Sequence, residues 1–278
     1  MGNTWERTVL DTSMLPVFDL AGLPTLQLLD LTNPVLDRER AGTLLDVAAE
    51  IHHTYFPGYE HVVDEWRAWW DSGDYPVPDV IGHVLLILRD GRPVGLLVFD
   101  TNLRRQVSLV HYFAVSPAGR SGLPRGWLRH AARTFVDLGK ADAHAHGTTL
   151  HGVAGEVPAE HVHKWTATGY APLLVEYGEP RHGMHWRDFG APELLGIHPI
   201  LFTSQAGTEV PPVEVADAGL RAFLVDHYRM DPGFPATATT LQQAAAVGTI
   251  PADFARAAAF TETAPPEQLT SMDGSAAK

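Results

Sequence analysis

Cysteine is absent from the 278 residues, which excludes disulfides, a thiolate nucleophile and cysteine-ligated zinc or iron–sulfur centres. Nothing in its usage therefore ties the chain to an oxidising compartment. Long apolar runs are missing too, since no stretch approaches the ~20 residues of a bilayer-spanning helix. The first residues, MGNTWERTVLDTSMLPVFDL, show no basic segment followed by an apolar one, so no secretory signal is read there and a cytoplasmic location is the expectation. Lysine is scarce: only Lys140, Lys164 and Lys278 occur, the other 17 basic residues being arginine. With abundant alanine, glycine and proline, this bias fits a GC-rich bacterial source. Basic residues are outnumbered by acidic ones, 20 to 33, for a formal net charge of -13. Such a chain repels nucleic acid and anionic membranes, and any anion must be held by local geometry. No G-x-x-x-x-G-K-[ST] loop is present, which excludes a Walker-type nucleotide site.

What is present is the pattern of a globular protein, with 45% hydrophobic residues and a mean hydropathy of -0.06. LQLLDL (26–31) reads as a first strand. Ala41, Leu44, Leu45, Ala48 and Ile51 then form a helical stripe beginning near Asp37, and YEHVVDEWRAWWDSG a second helix ending at Gly73. From residue 82 the period falls to 2, and three apolar runs separated by Asp90-Gly91 and by 102–106 predict an antiparallel meander, strands two to four. A glycine-rich turn, AGRSGLPRG (118–126), leads into a helix read as ending before Gly139. TTLHGVAGEV, PLLVEYG and LGIHPILFT read as strands five to seven, with the short helix AEHVHKWTATGY after the fifth. The fold class is α+β: a mixed, mainly antiparallel sheet flanked by helices. Residues 1–24 read as a leader, 25–205 as the main domain, 206–262 as a helical extension and 263–278 as a disordered tail.

A strand running through a glycine-rich turn into a helix N-terminus makes an anion site. The first helical N–H groups lack internal acceptors and the helix dipole is positive there. A dinucleotide fold needs parallel βαβ units, which the meander disfavours.

The element order together with this turn resembles the GCN5-related N-acetyltransferase (GNAT) superfamily. There, a [QR]-x-x-G-x-[GA] turn after the fourth strand holds the pyrophosphate of acetyl-CoA. The turn aligns as Gly119-Arg120-Ser121-Gly122-Leu123-Pro124, after Ala114-Val115-Ser116-Pro117. Gly119 and Pro124 depart from the motif, Gly122 keeps it, and Arg120 and Arg125 supply charge beside it. His163 to Tyr170 resembles the family's Y-x-x-x-G-[FY] ending, with Trp165 in place of the tyrosine that often protonates the leaving thiolate.

The resemblance implies an N-acyltransferase that uses acetyl-CoA, or another acyl-CoA, to acylate the amine of a small molecule. It also implies backbone contacts from Phe113, Ala114 and Val115 to the pantetheine, and phosphate contacts from the turn between Gly119 and Gly126, with Arg120, Ser121, Gly122, Leu123, Pro124 and Arg125. Members of the histone acetyltransferase branch carry a glutamate base near the position of Leu109. Period 2 puts Leu109, His111 and Phe113 on one face, making His111 the first candidate base, because a histidine suits that task near neutral pH. His151 and Glu156 on strand five are further candidates. Tyr59, Glu65, Trp66 and Trp69 in the second helical region are candidates for the acceptor pocket.

Action on carrier-protein-bound acyl groups or decarboxylation of an acyl thioester is the alternative, which leaves a carrier-protein partner open alongside a homodimer. A more remote alternative is a metal enzyme built on the 15 histidines. Its candidate pairs are His144 with His146 and then His151, His161 with His163, and His182 with His185. No H-E-x-x-H pattern or cysteine partner accompanies them, and His144 and His146 are read in a polar loop, so no metal is expected.

Overall fold

The period-2 pattern folds as three antiparallel strands in the computed structural model, which describes residues 5–72, 77–173, 175–178, 197–203 and 212–246. These strands are β3 (Val80–Arg89), β4 (Arg92–Asn102) and β5 (Val107–Val115). Asp90 and Gly91, both at positive φ, make the tight turn between the first two. Before them lie β1 (Val17–Leu20) and β2 (Leu23–Asp30), and after them β6 (Gly152–Pro158), β7 (Ala171–Pro172) and β8 (Ile197–Thr203). The strands form one sheet in the order β1-β2-β3-β4-β5-β6-β8-β7, and among the described residues only β5 with β6 pairs in parallel. The α+β layout is the one expected.

Helices cover both faces. α1 (Arg38–Tyr55) starts where Asp37 accepts a hydrogen bond from the Arg40 amide at 3.0 Å. With α2 (His61–Ser72) it buries Leu44, Leu45, Ile51, Val63 and Trp66 against Leu86, Leu96 and Val98 of the sheet. On the opposite face α4 (Trp127–Ala145), preceded by the single turn α3 (Pro117–Arg120), packs Ala131, Ala132 and Phe135 onto Leu28, Ile87 and Leu97. Each such leucine, isoleucine, valine or phenylalanine contributes about 1.5–3 kcal/mol when buried.

Four expectations are corrected. Residues 5–24 are not a loose leader: Trp5 is buried in the α1 core and β1 pairs with β2. The helix after the glycine turn does not stop at Gly139. It continues to Ala145 and places His144 in its last turn, because Gly139 lets the helix approach β5 so closely that a Cβ would lie 2.2 Å from Ser108 Oγ. Strand six shrinks to Ala171–Pro172, since the following residues turn onto the C-terminal extension, where the Glu176 amide donates to Gln243 Oε1 at 2.6 Å. The extension itself is not a separate appendage. α6 (Pro212–Arg221), a π-helical turn (Ala222–His227) and α7 (Pro235–Ala246) pack Val215, Leu220 and Phe223 onto Val107, Leu109 and Ala154 of the sheet. They lie on the same side as α1 and α2. The predicted tail 263–278 and the helical pattern beyond residue 246 lie outside the described residues.

One buried charge cluster ties the far end of the sheet together. His83 Nδ1 lies 2.7 Å from Asp30 Oδ2 and its Nε2 3.2 Å from Asp142 Oδ2, while Thr101 Oγ1 donates to the same Asp142 oxygen at 2.6 Å. Burial opposes a charged ring here. The hydrogen bonds to Asp142 and Asp30, with their charges, outweigh it and push the His83 pKa up to about 9. The unfolded value is near 6.5, so the stabilisation is complete below that pH and is lost as pH rises through 9. Replacing His83 by Gln should cost roughly 2–3 kcal/mol at pH 6 and much less at pH 10, as read by urea denaturation at the two values. An equal cost at both would show that the ring is not charged in the folded protein.

Candidate active site

β5 and β6 pair only from Val107 with Gly152 to Val110 with Gly155. Beyond that point β5 runs on to Val115 and β6 to Pro158 with no ladder described between them, so the two strands splay. At the start of the splay β5 also carries a bulge. Val98 of β4 pairs with Tyr112 and Phe99 with Val110, which leaves His111 as the extra residue.

The bulge corrects the expected facing. Leu109 and His111 do share a face, but Phe113 points the other way, into the α4 core beside Phe135 and Trp165. Tyr112 falls on the side of α1 and α2, where its ring meets His52 at 4.5 Å, Phe56 at 4.9 Å and Tyr59 at 6.1 Å between centroids. An extra residue in one strand reverses the alternation for everything after it, and no period-2 count can foresee that.

His111 Nε2 lies 2.9 Å from Asp100 Oδ2, and both side chains are nearly closed to solvent at 7% and 4% exposure. The extension supplies the rest of the wall. His227, the last residue of the π-helical turn, packs at a tilt of 32° against His111 with centroids 4.3 Å apart, and Phe223 meets the same ring edge-on at 5.6 Å. Burial, reinforced by His111, pushes the His227 pKa down to about 3, so this ring is neutral at any working pH. Across the splay, Glu156 of β6 accepts hydrogen bonds from the hydroxyls of Tyr177 and Tyr228, the latter at 2.6 Å. Ala154, two residues earlier, packs against the extension, so Glu156 shares that face and stands opposite His111.

At the other end of the splay sits the glycine turn. Ser116 Oγ accepts from the Gly119 amide at 3.0 Å, and Arg89 donates to the carbonyls of Ala118 and Ser121, pinning the loop. Gly119 is buried, and a Cβ there would lie 2.8 Å from Val115 Cγ1 and Val94 Cβ. Its glycine therefore serves packing, and its N–H is already bonded, which corrects the expectation that it contacts phosphate. The amides of Arg120, Ser121, Leu123 and Trp127 also have backbone acceptors, and Pro124 has no N–H. Those of Gly122, Gly126 and Leu128 have none among the described residues. Gly122 (φ 72°) and Gly126 (φ 78°) adopt the left-handed conformation that turns the chain into α4.

The remaining candidates divide. Tyr59 and Trp66 join the aromatic cluster on Tyr112 and His52. Glu65 stands exposed on α2. Trp69 lines a separate cleft of about 420 Å³ with Asp30, Asn33 and His83. His151 is not brought to the splay: it lies just before β6, its Nε2 3.0 Å from Gln106 Oε1, at the closed end of the β5–β6 pair. Trp165 and Tyr170 pack together at 5.5 Å, and burial pushes the Tyr170 hydroxyl pKa well above its ordinary value, leaving it unsuited to proton donation. Of the histidine pairs, His146 Nδ1 lies 2.9 Å from the Asp142 carbonyl oxygen at the end of α4, and His182 and His185 lie outside the described residues.

Asp100, Tyr112, Tyr177, His227 and Tyr228 are absent from the sequence-derived candidates. A signal existed only for Asp100, a carboxylate inside the apolar run VGLLVFDTN. The three tyrosines and His227 carry none.

A bulged strand, a splay against a parallel neighbour and a glycine turn opening onto a long helix recur here in the order that the resemblance predicts. This is the arrangement that the resemblance to the GCN5-related N-acetyltransferases implies. Neither protein-family models nor curated proteins yield a match to this chain. Solved structures similar to it include Tetrahymena GCN5, with 13% identity and a TM-score of 0.41 over 65% of this chain and 98% of that one. A Vibrio cholerae spermidine N-acetyltransferase, SpeG, gives 14% identity and a TM-score of 0.41 over 64% and 94%. A Bacillus subtilis acetyltransferase in complex with CoA gives 10% identity and a TM-score of 0.38 over 57% and 92%. Likeness of this degree says nothing about substrate.

Proposed function

We propose that the protein is an acyl-CoA-dependent N-acyltransferase that moves an acetyl group from acetyl-CoA to the amine of a small molecule. The observation that carries this reading is the splay itself, with the Asp100–His111 pair on one lip, Glu156 on the other and an anion-ready turn at its mouth. In this reading the amides of Gly122, Gly126 and Leu128, with Arg120, Ser121, Leu123 and Arg125 around them, receive the phosphates of the acyl-CoA. The open backbone edge at Phe113, Ala114 and Val115 pairs with the pantetheine amides. These contacts would bring the thioester to the bulge.

Asp100 holds the His111 ring by one nitrogen, so the other is the atom that takes a proton from the acceptor amine as its nitrogen bonds to the thioester carbon. The carbon–sulfur bond then breaks and the thiolate leaves with a proton. Trp165 has no acidic proton to give, and the phenols of Tyr177 and Tyr228 on Glu156 are the nearest described donors on that lip. The aromatic cluster of Tyr59, Trp66 and Tyr112 lies beside the bulge and suits a cationic amine, because aromatic faces attract ammonium groups. No described helix is long and apolar enough to cross a membrane, and a cytoplasmic bacterial enzyme remains the reading of the sequence.

Incubating the protein with acetyl-CoA and a panel of amines and carrier proteins, with intact-mass detection of products, tests the assignment. Acylated amine supports it; acylated carrier protein or loss of CO2 from a malonyl thioester moves the activity to the alternative; failure to bind any acyl-CoA sinks it. Replacing Arg120 and Arg125 together by Ala should raise KM for acyl-CoA about tenfold or more with kcat nearly unchanged, since charge-assisted contacts contribute about 1.5–3 kcal/mol before solvent screening reduces them. Steady-state kinetics with varied acyl-CoA checks this, and an unchanged KM would remove the arginines from the phosphate site.

A further inference from the structure

Outside the histidine pairs visible in the sequence, one group of side chains among the described residues has the composition of a metal site. Asp100, His111 and His227 each offer one donor atom, and these atoms lie within 4.8 Å of one another. They come from β4, the bulge of the neighbouring β5 and the last position of the π-helical turn, which is remote from both in the chain. Both histidines thus sit on local irregularities of regular structure, which recur at functional sites because they re-aim a side chain that the regular element would direct elsewhere. Here the two irregularities aim two imidazoles at one buried carboxylate.

We propose that Asp100, His111 and His227 form a binding site for a single divalent first-row transition-metal ion such as Zn2+, with the remaining coordination position open towards the splay. Two imidazoles and a carboxylate are the donor set of borderline cations, whereas calcium and magnesium favour all-oxygen shells. Donors held by one ion at about 2.0–2.2 Å lie about 3.3–3.6 Å apart, so from separations of up to 4.8 Å the side chains need to draw together by about an ångström. The ion would engage the ring and carboxylate that the proposed function assigns to proton removal. Zn2+ is therefore a reversible inhibitor of acyl transfer, a consequence that rests on that function, whereas binding of the ion does not.

Metal-stripped, untagged full-length protein titrated with Zn2+ by calorimetry, and with Co2+ by its visible ligand-field absorption, tests the site without any assay of catalysis. The expected result is one tight site that weakens at least thirtyfold in each of three separate variants, His227→Ala, His227→Gln and Asp100→Asn. Circular dichroism and thermal melts identify the variants that remain folded. Absence of a stoichiometric Zn2+ site in the wild type, or an undiminished site in any folded variant of the three, overturns the proposal and assigns the metal to other histidines. If Zn2+ binds as expected but leaves acyl transfer untouched, the site stands and His111 loses its role as base.

Discussion

His111→Ala should lower kcat by about 10²–10⁴-fold while leaving KM for acyl-CoA within a few-fold, the range that loss of a positioned general base produces. The ring is the only imidazole held by a buried carboxylate at the lip of the splay among the described residues, at 2.9 Å from Asp100. The glycine turn proposed to hold the phosphates lies at the other end of that opening, so binding of the acyl-CoA and removal of the proton should separate cleanly in the kinetics. Asp100→Asn keeps the shape and removes the charge that orients the ring, and a smaller loss is expected from it. The pH profile discriminates a base from a packing residue. A wild-type kcat/KM profile whose shape is altered in His111→Ala identifies the ring as the base, and an unaltered one identifies packing. Glu156→Gln is the matched control: if it abolishes activity while His111→Ala stays within threefold of wild type, the base is Glu156.

Asp226→Ala should destabilise the protein by about 2–4 kcal/mol and reduce activity with it. Asp226 is 4% exposed and accepts hydrogen bonds from Asn102 Nδ2 and Arg105 Nε, each at 2.9 Å, and from Arg104. It is the point at which the C-terminal extension grips the β4–β5 connection. Burial pushes its pKa up, but the bonds from Arg105 and Asn102 and the charges of Arg105 and Arg104 prevail and hold the carboxyl below its ordinary value. Its contribution is therefore present above the unfolded carboxylate pKa and lost as pH falls through the folded one. Removing the carboxylate leaves the buried Asn102 amide and the half-covered Arg105 without their acceptor, which costs more than the pair gains in net terms. The exposure of Arg104, at 57%, screens part of the effect and argues for the lower half of the range. Urea denaturation at pH 7 reads the stability. A shift below 0.5 kcal/mol would mean that the extension does not depend on this clamp. The activity loss has a geometric cause, since His227 and Tyr228 follow Asp226 directly and contact His111 and Glu156.

Where local pattern decides structure, the sequence was legible. The β3–β5 meander, the Asp37 start of α1 and the turn into α4 all follow from periodicity, capping and glycine, which act over a few residues. The errors share one cause. Gly139 looks like a helix end because isolated glycine weakens helices, yet here it admits β5 at close range. PLLVEYG has strand composition, but its residues find better partners on α7. Phe113 obeys period 2 until the bulge at His111 reverses it. Each is a tertiary contact overriding a local preference.

The chemistry divides along the same line. By itself the sequence determined the order of strands and helices, the acidic, cysteine-free character that leaves anion binding to local geometry, and the candidacy of His111 and Glu156. Only the tertiary structure decided that these two face each other across a splay, that Asp100 holds His111, that His151 and Trp69 lie elsewhere, and that the extension delivers His227 and Tyr228. Residues more than a hundred positions apart become neighbours through the packing of apolar faces. That packing is cooperative over the whole core, and no short stretch of chain encodes it.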